Sequence, residues 1–115
     1  MTTTIWHNPR CSKSRLTLAL LEEHQIKPTV RLYLDDVPSP TELASVVTQL
    51  GIQPWDLLRR GEKIFNELGL SKDSDDATLI NAMSQHPILI ERPVVIHKNR
   101  AALGRPPENV LAILD

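Results

Sequence analysis

The sequence holds a single cysteine among 115 residues. One thiol cannot form an internal disulfide, so the fold rests on its core alone, and a reducing compartment suits it. Aromatic residues are as sparse: two Trp, one Tyr and one Phe make no platform on which nucleic-acid bases would stack. The four glycines are scattered, none in the spacing of a phosphate-cradling loop. Neither sign of charge dominates: 13 Lys+Arg stand against 14 Asp+Glu, a formal net charge of -1. No global field therefore draws the chain to nucleic acid or to an anionic membrane. No apolar run approaches the roughly 20 residues needed to cross a bilayer. The start, Met1-Thr2-Thr3-Thr4-Ile5-Trp6, lacks the basic region and apolar run of a signal peptide. These absences lead to the expectation of a cytoplasmic protein with neither nucleic-acid nor membrane partners.

What is present is the pattern of one globular domain spanning residues 1–115, with 41% hydrophobic and 23% charged residues, enough for one core. Residues 2–6 read as a strand and 29–34 as a second. Between them a helix is expected over about 12–24, with Leu16, Ala19 and Leu20 at i, i+3, i+4 and Leu18 and Leu21 widening its apolar face. Ser39-Pro40-Thr41-Glu42 has the form of a capping box opening a helix with Leu43, Val46, Val47 and Leu50 on one side, stopped by Gly51. Short helices follow from Pro54 to about Arg60 and from Glu62 to Leu68. Ser74 caps another over about 75–85, with Leu79, Ile80 and Met83 inward. Val94-Val95-Ile96 and Ala101-Ala102-Leu103 flank a hairpin turn at His97-Lys98-Asn99-Arg100, and Pro106-Pro107-Glu108 opens a last helix carrying Val110, Leu111 and Leu114. A β-α-β start and a β-β-α end, with helices over about 39–86 between them, imply one mixed sheet with helices packed on it.

Cys11 follows a strand and a loop at a helix N-terminus, where unpaired N–H groups and the positive end of the macrodipole favour a thiolate. A free thiol is only about 3% ionised at pH 7. Lowering its pKa by about two units requires roughly 2.7 kcal/mol, and the dipole alone offers roughly 0.3–1 kcal/mol. His7, Arg10, Lys13 and Arg15 are the nearby candidates for the remainder. A lone cysteine is more commonly a small buried hydrophobe, but Asn8-Pro9-Arg10 and Ser12-Lys13-Ser14-Arg15 are too polar for a core site. Ser14 stands where a C-x-x-C dithiol would place its second cysteine, so any redox cycle must borrow an external thiol.

Arg59, Arg92 and Arg105 each fall at the edge of an element, and a guanidinium fork suits a tetrahedral oxyanion. Each taken singly is read as a solvated surface charge. Arg92-Pro93 enters a strand, a place where a proline is sometimes cis. His24, His86 and His97 read as surface or cap residues. His7-x-x-x-Cys11 has no second ligand pair at zinc spacing, so no metal site is expected.

His7-Asn8-Pro9-x-Cys11-x-x-Ser14-Arg15 resembles the active-site loop of the ArsC-type arsenate reductase family, the branch linked to glutathione and glutaredoxin. Tyr33-Leu34, Leu57-Leu58-Arg59, Leu68-Gly69-Leu70, His86-Pro87-Ile88-Leu89-Ile90-x-Arg92-Pro93 and Gly104-Arg105-Pro106 extend the resemblance over nearly the whole chain, whose length is that of the family's short-chain branch. Arg10 and Ser12-Lys13 fill variable loop positions with charge and bulk. The resemblance implies an α/β, thioredoxin-like (glutaredoxin-like) fold with a helical insertion. It implies that Cys11 attacks arsenate, that glutathione as co-substrate attacks the adduct, and that glutaredoxin reduces the mixed species, with no bound cofactor and a monomeric enzyme. Carried over, His7 helps lower the Cys11 pKa, while Arg59, Arg92 and Arg105 bind the oxyanion. Asn8, Ser14 and Arg15 support the thiolate, and Pro93 is the family's cis proline. Two other readings share the fold: an Spx-like transcription regulator that binds RNA polymerase, and a generic monothiol oxidoreductase. The regulators usually carry a C-x-x-C pair, and the oxidoreductase would not need three arginines.

Overall fold

The computed structural model describes residues 3–114, so residue 2 of the expected first strand lies outside the described residues. The chain divides into two compact units, Met1–Asp36 with Arg92–Asp115, and Val37–Glu91. The helical segment expected over about 39–86 falls inside the second.

The first unit is built on a four-stranded sheet ordered β2-β1-β3-β4, from β1 Thr3–Trp6, β2 Thr29–Arg31, β3 Val94–His97 and β4 Arg100–Leu103. β1 pairs parallel with β2, in the register Ile5↔Val30, and antiparallel with β3, in the register Ile5↔Val95. Joining β1 to a parallel β2 requires a crossover, and helix α1, Ser12–Glu23, supplies it. A 3₁₀ helix, Pro107–Ile113, follows β4 and packs with α1. Ile5, Leu21, Val95, Val110 and Ile113 form the core of this unit. This β-α-β plus β-β-α sheet is the α/β, thioredoxin-like arrangement the resemblance implies.

Several local expectations change. β2 ends at Arg31, because the N–H groups of Asp35 and Asp36 both donate to Leu32 O, at 3.0 and 2.8 Å, and turn the chain there. On α1 the buried side chains are Ser14, Thr17 and Leu21, whereas Leu16 is 56% exposed. Leu21 joins the core and Leu18 and Leu20 pack against it, while two polar side chains, Ser14 and Thr17, share the buried face. The hairpin turn tightens to Lys98-Asn99, and His97 stays in β3, buried, 2.7 Å from Thr3 Oγ1. The last segment is 3₁₀ rather than α. It buries Pro107, Val110 and Ile113, three apart, which is the period of that helix.

The second unit is helical: α2 Pro40–Leu50, α3 Pro54–Leu57, α4 Lys63–Glu67, α5 Asp76–Gln85 and a 3₁₀ turn Pro87–Leu89. α2 starts at the expected capping box, with Ser39 Oγ accepting from Glu42 N at 3.1 Å and Glu42 Oε1 accepting from Ser39 N at 2.9 Å. It ends at Gly51, whose φ of 69° is left-handed and costs an L side chain more than it costs glycine. Asp75, not Ser74, caps α5. Asp75 Oδ1 accepts from Thr78 N at 2.8 Å, while Ser74 Oγ is already occupied by Ser71 N at 3.0 Å. α2, α3 and α5 bury Leu43, Val46, Val47, Leu57, Leu79 and Met83.

Candidate active site

The thiol loop begins where β1 ends. Cys11 is the N-cap of α1, with extended backbone (φ -95°, ψ 123°), and its side chain is half-buried. The loop is tied down by its own polar groups. Asn8 O accepts from Cys11 N at 3.0 Å, Asn8 Oδ1 accepts from Arg10 N at 3.0 Å, and Arg15 Nη1 donates to Pro9 O at 2.9 Å. Ser14 reaches back from the first turn of α1. Its Oγ accepts from Asn8 N at 3.0 Å and lies 2.6 Å from His7 Nδ1. Burial, then the Arg15 charge, hold the His7 pKa below its ordinary value. A neutral imidazole carries one N–H and one bare nitrogen, so its tautomer sets which of Nδ1 and the Ser14 hydroxyl donates.

Burial pushes the Cys11 thiol up, but the backbone N–H of Ser14, the Arg92 side chain, the N–H of Lys13 and the Arg92 charge outweigh it, and the net shift is downward. No hydrogen bond from an α1 N–H to the sulfur closes to capping geometry, so the first turn remains open toward it. The help expected from positive charge on His7, Arg10, Lys13 and Arg15 comes instead from two backbone amides and one distant arginine. The His7 ring meets Ser14 Oγ rather than contributing charge to the sulfur.

Arg92 precedes β3, and Arg105 follows β4. Arg92 Nε and Nη1 are buried without a hydrogen-bond partner. Arg105 Nη1 donates to Arg92 O at 3.0 Å and lies 4.0 Å from Cys11 Sγ. Buried donors left unpaired cost free energy and call for an explanation in a native fold. Here they sit on a cation beside a thiol of lowered pKa, where an incoming oxyanion would accept from them. The Arg92-Pro93 bond is cis, as the resemblance implies, and Arg105-Pro106 is cis as well.

Two residues that sequence reading passed over shape this corner. Thr17 Oγ1 donates to Lys13 O at 2.8 Å and approaches Gly104 O at 3.5 Å. Gly104 N donates to Pro93 O at 3.0 Å. A Cβ on Gly104 would collide with the Thr17 hydroxyl and stand 2.7 Å from Pro93 Cγ. Gly104 thus lets β4 and the Pro93 corner meet α1. The Gly-Arg-Pro string was visible, but the close approach has no local signal.

Arg59 lies in the second unit. Its Nε donates to Glu62 Oε2 at 3.1 Å and its Nη1 to Glu91 Oε1 at 2.8 Å. Neither acid was singled out by sequence. The structure therefore brings Cys11, Ser14, Arg92 and Arg105 together in the first unit, and gives Arg59 two carboxylate partners in the second. Among the described residues no group of three His, Cys, Asp or Glu side chains is placed to hold a metal ion, and no helix is long and apolar enough to cross a membrane.

The model of the ArsC family matches residues 6–113. An arsenate reductase of Haemophilus influenzae is 47% identical over 116 residues, covering 99% of this chain and 100% of that protein. An arsenate reductase of Escherichia coli is 46% identical over 112 residues, covering 96% of this chain and 79% of that protein. The solved structure of an arsenate reductase from Vibrio cholerae superimposes with a TM-score of 0.96 at 47% identity, covering 99% of this chain and 98% of that one.

Proposed function

The chain belongs to the ArsC family, and on that premise we propose that it is an arsenate reductase with Cys11 as the nucleophile. The observation that carries this reading is a thiol lowered in pKa at an uncapped helix start, beside an arginine with two unpartnered buried nitrogens. A thiolate and a tetrahedral oxyanion repel each other unless the charge is offset. Arg92 and Arg105 offset it, and preorganised donors do so without reorganising at the moment of reaction. For Arg59, in the second unit, the family resemblance implies a role as a third oxyanion ligand. Ser14 and His7 hold the loop, Asn8 and Arg15 brace it, and Pro93 shapes the wall.

The Cys11 sulfur displaces an oxygen of arsenate, which leaves as water, and a sulfur–arsenic bond forms. Glutathione attacks the adduct, arsenic takes two electrons and departs as arsenite, and glutaredoxin reduces the mixed species to return the Cys11 thiol. Over the cycle one arsenate and two thiols give one arsenite, one disulfide and one water. Cys11 is the chain's only thiol and is returned at the end, so both thiols consumed come from outside, which suits a glutathione-containing cytoplasm. Nothing in this cycle asks for a second copy of the chain, which is consistent with a monomeric enzyme. Phosphate fits the same clamp but does not accept electrons from thiols, so redox chemistry separates the two anions. No observation favours the regulator reading.

The test is arsenate-dependent NADPH oxidation, coupled through glutathione reductase with glutathione and glutaredoxin. Turnover by the wild type that vanishes in Cys11→Ser supports the reading. A folded wild type that does not turn over arsenate overturns it.

A further inference from the structure

Arg59 is held differently from the arginine beside the thiol. An antiparallel bridge, Leu58↔Ile90, joins two stretches of the second unit. Its hydrogen bonds run from Arg59 N to Leu89 O at 2.7 Å and from Glu91 N to Leu57 O at 2.8 Å. That pairing sets Glu91 within reach of the guanidinium from one side, and Glu62, three residues on, reaches it from another. The side chains of Arg59, Glu62 and Glu91 are 22%, 25% and 24% exposed. One guanidinium thus meets two carboxylates, an unexpected setting for a residue whose expected ligand is an anion.

A guanidinium offers two forked edges, one ending in Nε and Nη2, the other in Nη1 and Nη2. Glu62 takes the Nε end of the first and Glu91 the Nη1 end of the second. Nη2, shared by both forks, has no partner among the described residues. An oxygen that accepts from Nη2 therefore comes to lie beside a carboxylate on either side. A carboxylate only accepts hydrogen bonds. An oxyanion that carries a proton can donate to it, whereas a bare one meets repulsion from its oxygens.

Resting on the reading of Arg59 as an oxyanion ligand, we propose that Arg59, Glu62 and Glu91 read the proton on a tetrahedral oxyanion. They accept hydrogenarsenate or hydrogenphosphate through a paired donor and acceptor, and they reject sulfate, which holds no proton at neutral pH. A site that demands a particular hydrogen bond discriminates strongly against an analogue that cannot make it, because its own polar groups are left facing the wrong partner.

Calorimetric titration of the full chain with phosphate and with sulfate, near neutral pH, tests this without any turnover. The proteins are wild type, Arg59→Gln, Glu62→Gln and Glu91→Gln, each checked for a native melting transition. Wild type is expected to bind phosphate at least about tenfold more tightly than sulfate, the worth of one hydrogen bond to a charged group. In each Glu→Gln variant the amide still accepts from Arg59 but can also donate to sulfate, so the ratio is expected to fall toward one. A wild-type ratio near one, or a ratio that neither folded glutamine variant changes, overturns the proposal. Arg59→Gln separates the two layers. If it weakens phosphate binding while the glutamate variants leave the ratio alone, only the proton reading fails. If phosphate binds equally well without Arg59, or does not bind the wild type, the oxyanion reading of Arg59 fails with it.

Discussion

Two helix starts in this chain face the same physical situation and resolve it in opposite ways. α2 in the helical unit closes its N-terminus with the reciprocal bonds of Ser39 and Glu42, satisfying donors that would otherwise be orphaned. α1 in the sheet unit begins at Cys11 with no side-chain capping bond, and the N–H groups of Ser14 and Lys13 lower the sulfur's pKa. A cap is worth about 1 kcal/mol of stability. α1 forgoes it and keeps the positive end of the helix for a thiolate. The arginines repeat the contrast: Arg92 holds two buried donors without partners, while Arg59 is bound by two carboxylates. One unit leaves its polar groups unsatisfied where chemistry needs them, and the other spends its polar groups on structure or on selection.

Mutations sharpen that contrast, starting with the largest effect. Cys11→Ser should abolish arsenate-dependent NADPH oxidation while leaving the melting temperature nearly unchanged, since the half-buried sulfur makes no capping bond. Arg92→Ala should lower kcat/KM for arsenate by about two to three orders of magnitude, the scale of losing a preorganised oxyanion donor. The same change removes two buried donors without partners as well as the interaction with Cys11, so the melting temperature should change little. A fall in stability would show that Arg92 is structural.

The pH dependence of the thiol carries its own sign. Folding lowers the Cys11 pKa from an ordinary value of 9.0. Alkylation by iodoacetamide should therefore reach half its plateau below that value, and Arg92→Ala should move the midpoint upward. The linked stability is fully present above pH 9.0 and is lost as pH falls through the lowered folded value. An Arg92→Ala midpoint equal to wild type would assign the shift to the backbone amides alone.

Stability mutations probe the scaffolds of the two units. Gly104→Ala should cost about 1–3 kcal/mol in chemical denaturation, as overpacking against Thr17 and Pro93 does. Ser39→Ala should cost about 1 kcal/mol with no effect on thiol reactivity; a change in that reactivity would break the contrast between the two helix starts. Leu16→Ala should be the mildest, within about 0.5 kcal/mol, because the side chain is 56% exposed.

Much of this molecule was written within short spans of sequence. The capping box at Ser39, the left-handed stop at Gly51, the element order around the sheet and the polar loop around Cys11 all rest on interactions a few residues long. Local propensity and short-range hydrogen bonds suffice for these. The facing of α1 was legible only in part: Leu18, Leu20 and Leu21 do pack on the core. Its apolar spacing pointed Leu16 inward, yet Ser14 and Thr17 are buried because they must meet His7, Asn8 and Gly104. His97 read as a surface residue until β3 carried it beside Thr3, 94 positions away. Arg105 and Cys11 are separated by the same distance in sequence. Glu62 and Glu91 carried no signal at all until a backbone bridge set one of them against Arg59. The sequence by itself determined which elements form, where they start and stop, and that one thiol would stand at a helix start. The tertiary structure decided which faces are buried and which charges are paired, because burial and pairing depend on groups that chain folding alone brings together.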